Sequence, residues 1–146
     1  MATYLFAQKT STQTITTASP TVVTSWAAAT YSQNANEWNP TTGVFTATKA
    51  GVYSVAAIIQ FSSSADSLGV EYSLNILKNG NIQTASRYFT TTTTDTFKSS
   101  ITGNAILSLG IGDTISIQIY HNAGANRTTH GSGNYITIQQ LPMTLV

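Results

Sequence analysis

The sequence contains no cysteine, and only 8% of its 146 residues are charged. Without cysteine there is no disulfide framework and no thiol chemistry, so packing or assembly must stabilise the fold. Six Lys and Arg residues against five Asp and Glu residues give a formal net charge of +1, and the basic residues are scattered. Nucleic acid is therefore not an expected partner, because no basic cluster is available to neutralise a row of phosphates.

Long apolar runs are also missing. Nothing in the chain approaches the length of a membrane span, so membrane insertion is not expected. The apolar patch within Met1 to Lys9 is too short for a secretory signal and lacks its basic start. We therefore expect a small gene product that is made in a cytoplasm.

Catalytic motifs are sparse. His121 and His130 stand at either end of a loop rich in glycine and asparagine, which is not the spacing of a metal site on a regular element. The five acidic residues are dispersed and offer no pair for acid and base catalysis. The sequence accordingly predicts a protein that is not an enzyme.

Alternating apolar residues are the main pattern in the sequence. Two runs predict strands with one buried face each, Tyr53 to Phe61 and Val70 to Ile76, and Asn79-Gly80 predicts a tight hairpin turn after the second. Ile101 to Leu109 and Thr114 to Tyr120 are predicted to form a hairpin, and Tyr135 to Leu141 the final strand. Loops are predicted over Thr90 to Asp95 and Asn122 to Gly133. This pattern predicts a β-sandwich, without separating a jelly roll from an immunoglobulin-like topology.

Two segments carry a family resemblance. The first runs Asn39-Pro40-Thr41-Thr42-Gly43-Val44-Phe45-Thr46 and continues to Gly51-Val52-Tyr53 and a strand; the second runs from Leu107 through Gly112-Asp113 to Tyr120. This combination resembles the complement 1q family, whose head domains share a jelly roll with tumour necrosis factor. The expected fold is therefore all-β, an antiparallel two-sheet jelly-roll sandwich over residues 21–146. Residues 1–20 are expected to form an N-terminal arm or a first edge strand.

The resemblance implies a homotrimer. On this analogy Tyr53, Tyr120 and Tyr135 are candidates for the trimer contact, with ordinary core or rim aromatics as the alternative. Some relatives bind calcium through acidic loop residues, which makes Asp66 and Asp95 the candidates here. No other cofactor is expected.

Departures from the family suggest a biological setting. The chain has no collagen-like stalk, and threonine and serine take the place of charge on its surface. We therefore expect a non-enzymatic, homotrimeric virion structural protein on the particle surface, either a capsid decoration or the head of a fibre or spike. Its partners would be capsid or tail proteins, and Tyr4, Leu5 and Phe6 would dock the N-terminal arm on them.

The alternative is an extracellular or virion-borne module that binds a host receptor or a glycan. Asn126, Arg127 and His130 lie in a loop rich in hydrogen-bonding groups and are the candidate recognition residues. Trp26 and Trp38 would stack on sugar rings under this hypothesis, and a core or interface position is the alternative for both.

Overall fold

The computed structural model describes residues 2–62, 66–91 and 100–142. Within these ranges the regular structure is β-strand apart from a single turn of 3-10 helix, Ala35–Glu37. No helix among the described residues is long and apolar enough to cross a membrane. The strands are, in chain order, β1 (Tyr4–Lys9), β2 (Thr14–Ile15), β3 (Thr21–Val22), β4 (Tyr31–Ser32), β5 (Trp38–Asn39), β6 (Val44–Thr46), β7 (Gly51–Gln60), β8 (Glu71–Lys78), β9 (Asn81–Phe89), β10 (Ser100–Leu109), β11 (Thr114–His121), β12 (Arg127–Thr128) and β13 (Asn134–Gln140).

Two antiparallel sheets pack face to face. The five-stranded sheet has the order β10-β7-β13-β1-β4, and the six-stranded sheet has the order β5-β6-β11-β8-β9 with β3 paired to β11. The short strands β12 and β2 form a separate pair at one end. This is the predicted antiparallel two-sheet jelly-roll sandwich.

The core lies between the sheets and is built from alternate residues. The predicted inward faces are confirmed: Tyr53, Val55 and Ile59 of β7 are fully buried, and Ile115 and Ile119 of β11 are as well. Successive side chains of a strand point to opposite faces, so the residues between these core positions lie on the outer surface of each sheet.

Turn chemistry accounts for the residues of the segment between β5 and β6. The backbone N–H of Gly43 donates to the carbonyl of Asn39 at 2.8 Å, and the Asn39 side chain accepts from the N–H of Thr42. Gly43 has φ +69°, and a Cβ there would lie 2.1 Å from the carbonyl oxygen of Val23. Only glycine fits this turn. The predicted Asn79-Gly80 hairpin turn is also confirmed, with φ +51° and +78°.

The predicted hairpin between Ile101–Leu109 and Thr114–Tyr120 is wrong. Strand β10 pairs with β7, whereas β11 pairs with β8, β6 and β3 in the opposite sheet. The turn at residues 110–113 therefore crosses from one sheet to the other. Leu109 and Ile115 both point into the same core, which the sequence pattern of two apolar strands around a Gly-Asp turn cannot distinguish from a hairpin.

The predicted N-terminal arm is wrong over Tyr4–Lys9. Strand β1 pairs along its length with β13 and also with β4, so it is an internal strand of the sheet rather than an arm or an edge. Leu5 and Ala7 point into the core and are 1% and 0% exposed. Burial of these side chains holds the segment in the sandwich.

The predicted loops are partly described. Of Thr90 to Asp95, only Thr90 and Thr91 lie among the described residues, and both follow β9 outside any strand. Thr90 is buried, and its hydroxyl accepts from the N–H of Val70 at 2.8 Å. The predicted loop from Asn122 to Gly133 contains β12, which pairs with β2.

Candidate assembly face and loop surface

The outward face of the five-stranded sheet, here called the assembly face, consists of the residues that alternate with the core positions. Every outward-facing side chain of β1, β4, β7, β10 and β13 is uncharged. A sheet surface of this width normally carries charged side chains, since they favour water over protein contacts. The absence of charge over five fully described strands marks this face as one suited to contact with protein.

Aromatic side chains concentrate at one side of the assembly face. Tyr4 and Tyr31 meet edge to face with ring centroids 5.2 Å apart, and Phe6 and Tyr135 lie 5.9 Å apart. Tyr31 is 48% exposed and Tyr135 is 40% exposed. The register places Ile58 of β7 beside Tyr135, which extends the apolar area toward the middle of the sheet. Exposed aromatics with a polar tip are enriched at protein interfaces.

Two further apolar side chains are exposed on the strands at the adjoining edge of the sandwich. Strands β9 and β10 are the terminal strands of their sheets, as far as the described strands go, and they pack against each other. Phe89 and Ile106 are 50% and 70% exposed on these strands. Ile106 alternates with the core residues Ala105 and Leu107 and so belongs to the assembly face, whereas Phe89 lies on the outer surface of the six-stranded sheet.

At the end of the sandwich that carries β12, a buried ion pair replaces the expected open loop. The Arg127 guanidinium donates to Oδ1 of Asp66 from Nε at 3.0 Å and also from Nη2, and the Tyr72 hydroxyl donates to Oδ2 at 2.6 Å. We call these three residues the Asp66 cluster. Burial and the bond to Asp66 raise the pKa of Tyr72 to about 12. The phenol therefore stays protonated as a donor.

His121 lies beside the Asp66 cluster with its ring 5.7 Å from that of Tyr72. Its Nε2 is 2.9 Å from the carbonyl oxygen of Ile15, and its Nδ1 accepts from the N–H of Ala123. A carbonyl can only accept, so Nε2 carries the proton and the imidazole is neutral. Burial, together with the charge of Arg127, lowers the pKa of His121 and maintains that state.

Comparison with known proteins agrees with this architecture. The model of the C1q domain family matches residues 5–137. The chain belongs to the C1q domain family. Among solved structures, the globular domain of zebrafish complement 1qA protein is similar with a TM-score of 0.65 and 15% identity, over 98% of this chain and 99% of that one. Murine APRIL at pH 5.0 is similar with a TM-score of 0.66 and 12% identity, over 97% of this chain and 100% of that one.

These identities are low, so the structural likeness fixes the fold of this C1q domain and leaves its ligand open. No curated protein matches the sequence. Domains with the C1q and tumour necrosis factor-like fold commonly form homotrimers, and they are generally not enzymes.

The three tyrosines predicted at a trimer contact occupy three different places in this C1q domain. Tyr135 lies on the assembly face, and Tyr120 lies on the outer face of the opposite sheet, beside Ser73. Tyr53 is 0% exposed, and its hydroxyl donates to the carbonyl of Lys49. Since it has no surface to offer a partner, Tyr53 belongs to the core, as the alternative interpretation has it.

The three residues predicted to dock an arm are likewise separated. Leu5 points into the core, whereas Tyr4 and Phe6 point out of β1 onto the assembly face. The aromatic rings of Tyr4 and Phe6 therefore lie on the sheet surface rather than on an N-terminal arm. Sequence reasoning missed Tyr31, because a two-residue strand carries too little periodicity to be predicted.

The predicted recognition residues do not form one surface. Asn126 is exposed, but the side chain of Arg127 is only 11% exposed and is occupied by Asp66. His130 is held locally, since its Nδ1 accepts from the N–H of Ser132 at 3.2 Å. Arg127 therefore has a structural position. Asn126 remains exposed in the recognition loop, but the positive charge of Arg127 is not available to a ligand there.

The residues predicted for calcium and for sugar stacking have other partners. Both carboxylate oxygens of Asp66 are engaged within the Asp66 cluster, and Asp95 lies outside the described residues. The part of the chain that the structure describes contains no group of three or more His, Cys, Asp or Glu residues arranged to hold a metal. Trp26 and Trp38 are 6% and 7% exposed and pack against each other, which places them in the core.

Two buried charges escaped sequence reasoning. Lys9 is 1% exposed, and its ammonium donates to the carbonyl of Thr24 at 2.6 Å; burial lowers its pKa. Glu37 is 2% exposed and accepts from the hydroxyls of Thr3 and Thr48. Neutral hydrogen-bonding groups stabilise both charges, so no oppositely charged residue in the sequence indicates that either side chain is buried.

Proposed function

We propose that this C1q domain is a non-enzymatic homotrimeric structural protein of a virion surface, acting as a capsid decoration or as the head of a fibre or spike. The observation that carries the trimer is the uncharged assembly face with its exposed aromatic side chains. Exposed aromatic side chains on an uncharged sheet surface are an aggregation liability in a monomer, and burial against another subunit removes it.

The assembly face suits a closed ring rather than a twofold pair, and domains with the C1q and tumour necrosis factor-like fold commonly form homotrimers. A ring closes through two different patches on each subunit, and the assembly face offers two, the aromatic patch with Phe6 and Tyr135 and the exposed Ile106 on β10 at the other side of the sheet. Ile106 would meet Phe6 and Tyr135 of the next subunit. Both patches are uncharged at these positions, so their burial carries no unpaired charge.

Support for the particle surface comes from composition. Only 8% of the chain is charged, and threonine and serine provide the polar character of its exposed strands. A trimeric head stabilised by packing, without cysteine, does not depend on an oxidising compartment. A host-receptor or glycan-binding role is the second proposal, because the sheet opposite the assembly face stays accessible in such a trimer.

The trimer can be tested with two matched isoleucines. Ile106 lies on the edge at 70% exposure, and Ile111 lies in the turn between the sheets at 76% exposure. By light scattering, the wild type should have a mass near three times 15.5 kDa. Ile106→Asp should dissociate it, and Ile111→Asp should not. A monomeric wild type, or equal behaviour of the two variants, would contradict the proposed interface.

The virion location needs a separate experiment. Antibodies raised against the purified trimer should label the surface of intact particles from a culture that encodes this chain. A trimer that fails to label any particle would overturn the location while leaving the assembly intact.

A further inference from the structure

A groove of about 410 Å³ runs along β8 on the outer face of the six-stranded sheet. We call it the outer groove. Ser73 and Asn75 form its floor, and they point away from the core because Tyr72, Leu74 and Ile76 point into it. Both floor residues are nevertheless only 5% and 6% exposed. Side chains that face outward and are still buried lie at the bottom of a concave surface.

The shape of the outer groove follows from side-chain size across three strands. Small side chains of β8 stand in the middle, with Ala85 of β9 beside Asn75 in the register. Tyr120 of β11 and Pro20 border one side, and Arg87 and Ile82 of β9 border the other. Small residues between large ones leave a channel parallel to the central strand.

The floor offers both a donor and an acceptor. Asn75 Nδ2 donates to Gln118 Oε1 at 3.0 Å. The carbonyl oxygen of Asn75 and the amino group of Gln118 make no further hydrogen bond to a described residue. An acceptor next to a donor, fixed by their own mutual bond, complements a hydroxyl group, which both donates and accepts.

The charges and the aromatic side chain of the outer groove further restrict the class of ligand that it can bind. Arg87 and Glu71 face each other at one end with Nε and Oε1 3.6 Å apart, so the charges of the groove cancel. Neither an anion nor a cation is favoured by such a surface. The partly buried ring of Tyr120 adds an apolar face with a polar tip at the wall.

We propose that the outer groove binds a neutral saccharide. A pyranose ring packs against Tyr120, and its hydroxyl groups bond to Asn75 and Gln118. The channel follows β8 from Glu71 to Asn75, so a longer saccharide would lie parallel to the strand. The groove is on the sheet opposite the assembly face, so this site does not depend on the proposed trimer.

The binding test uses protein-observed NMR with methyl glycosides as probes. Methyl glucoside, galactoside, mannoside and N-acetylglucosaminide are added at millimolar concentration to the full chain, labelled with ¹⁵N. At least one of them should shift the backbone amides of β8 and the facing residues of β9 and β11. No shift there with any of the four, or shifts confined to the loops, would overturn the proposal. Tighter binding of a sialylated glycoside would overturn its neutral character.

Variants then distinguish binding in the outer groove from binding elsewhere on the surface. Tyr120→Ala should weaken binding of the glycoside that shifts these amides by about three- to tenfold, because the ring contact is lost. Tyr135→Ala, on the assembly face, is the matched control and should leave binding unchanged. Gln118→Leu keeps the size of the side chain, removes the amide, and should also weaken binding. Equal effects of Tyr120→Ala and Tyr135→Ala would contradict the site.

Discussion

Arg127 holds the carboxylate of Asp66 through both its Nε and Nη2 atoms in a nearly closed environment, with 11% and 3% of the two side chains exposed. The two residues are far apart in sequence and come from β12 and from the segment before β8. Two donors on one planar guanidinium fix orientation as well as distance. The pair therefore anchors the chain segments at this end of the sandwich.

Replacing Arg127 should destabilise the fold far more than replacing an exposed arginine. Arg127→Met should lower the free energy of unfolding by about 3–5 kcal/mol, because the carboxylate of Asp66 stays buried without its partner. Arg87 is paired with Glu71 at 3.6 Å, but its side chain is 63% exposed. Arg87→Met should cost about 1 kcal/mol or less. Urea unfolding measures both, and similar losses would contradict the structural role of Arg127.

Arg127 also illustrates a limit of sequence reasoning. Its neighbours Gly124, Asn126 and Gly131 have the composition of an exposed loop, which predicts a recognition surface. The partner that decides its role is Asp66, and nothing in the local sequence links the two. By contrast, Asn79-Gly80 is predictable because the required positive φ values are a local property.

Acid should destabilise the fold through His121. Burial lowers the pKa of His121 from its ordinary 6.5, so the unfolded chain takes up a proton before the folded one as the pH falls. The stability that neutral His121 contributes is therefore complete above pH 6.5 and declines below it. In urea titrations across this range, His121→Gln should remove this decline. A profile that is unchanged by His121→Gln would contradict the assignment.

Two glycines with positive φ should differ in their tolerance of alanine. Gly80 has φ +78° and open space around its Cα, so Gly80→Ala should cost only the left-handed backbone strain, about 1–2 kcal/mol. At Gly43 a Cβ would also meet the carbonyl of Val23 and the indole of Trp26. Gly43→Ala should therefore cost about 2–5 kcal/mol. Thermal unfolding of both variants tests this ranking, and equal midpoints would exclude it.

Asp113 should contribute to stability in acid through the turns it joins. It accepts from the side chain of Asn79 and the N–H of Gly110, each at 2.8 Å, and pairs with Lys78 at 3.1 Å. The bond from Asn79, followed by those from Gly110 and Lys78, lowers the pKa of Asp113 from 3.8 to about 2. Its contribution is present above pH 3.8 and is lost as the pH falls toward 2. Asp113→Asn should flatten the unfolding profile over this interval, and an equally steep profile would contradict the linkage.

The candidate sites show a similar division between local and long-range information. The inward faces of β7 and β11 are readable from alternation, since each strand must bury one face. Which sheet a strand joins is a long-range property, and this is why Tyr120 and Tyr135 look equivalent in sequence yet lie on opposite surfaces. The outer groove escapes prediction for the same reason, because its walls come from strands that are distant in the chain.

The position of β13 has a consequence for synthesis on the ribosome. This last strand lies between β1 and β7, so the first and last strands of the sandwich are neighbours. Until residues 134–140 have emerged, β1 and β7 each keep an unpaired edge and the five-stranded sheet remains in two parts. Folding of this sheet is therefore completed only once β13 has left the ribosome, and until that moment the nascent chain is open to edge pairing with its neighbours on the same message.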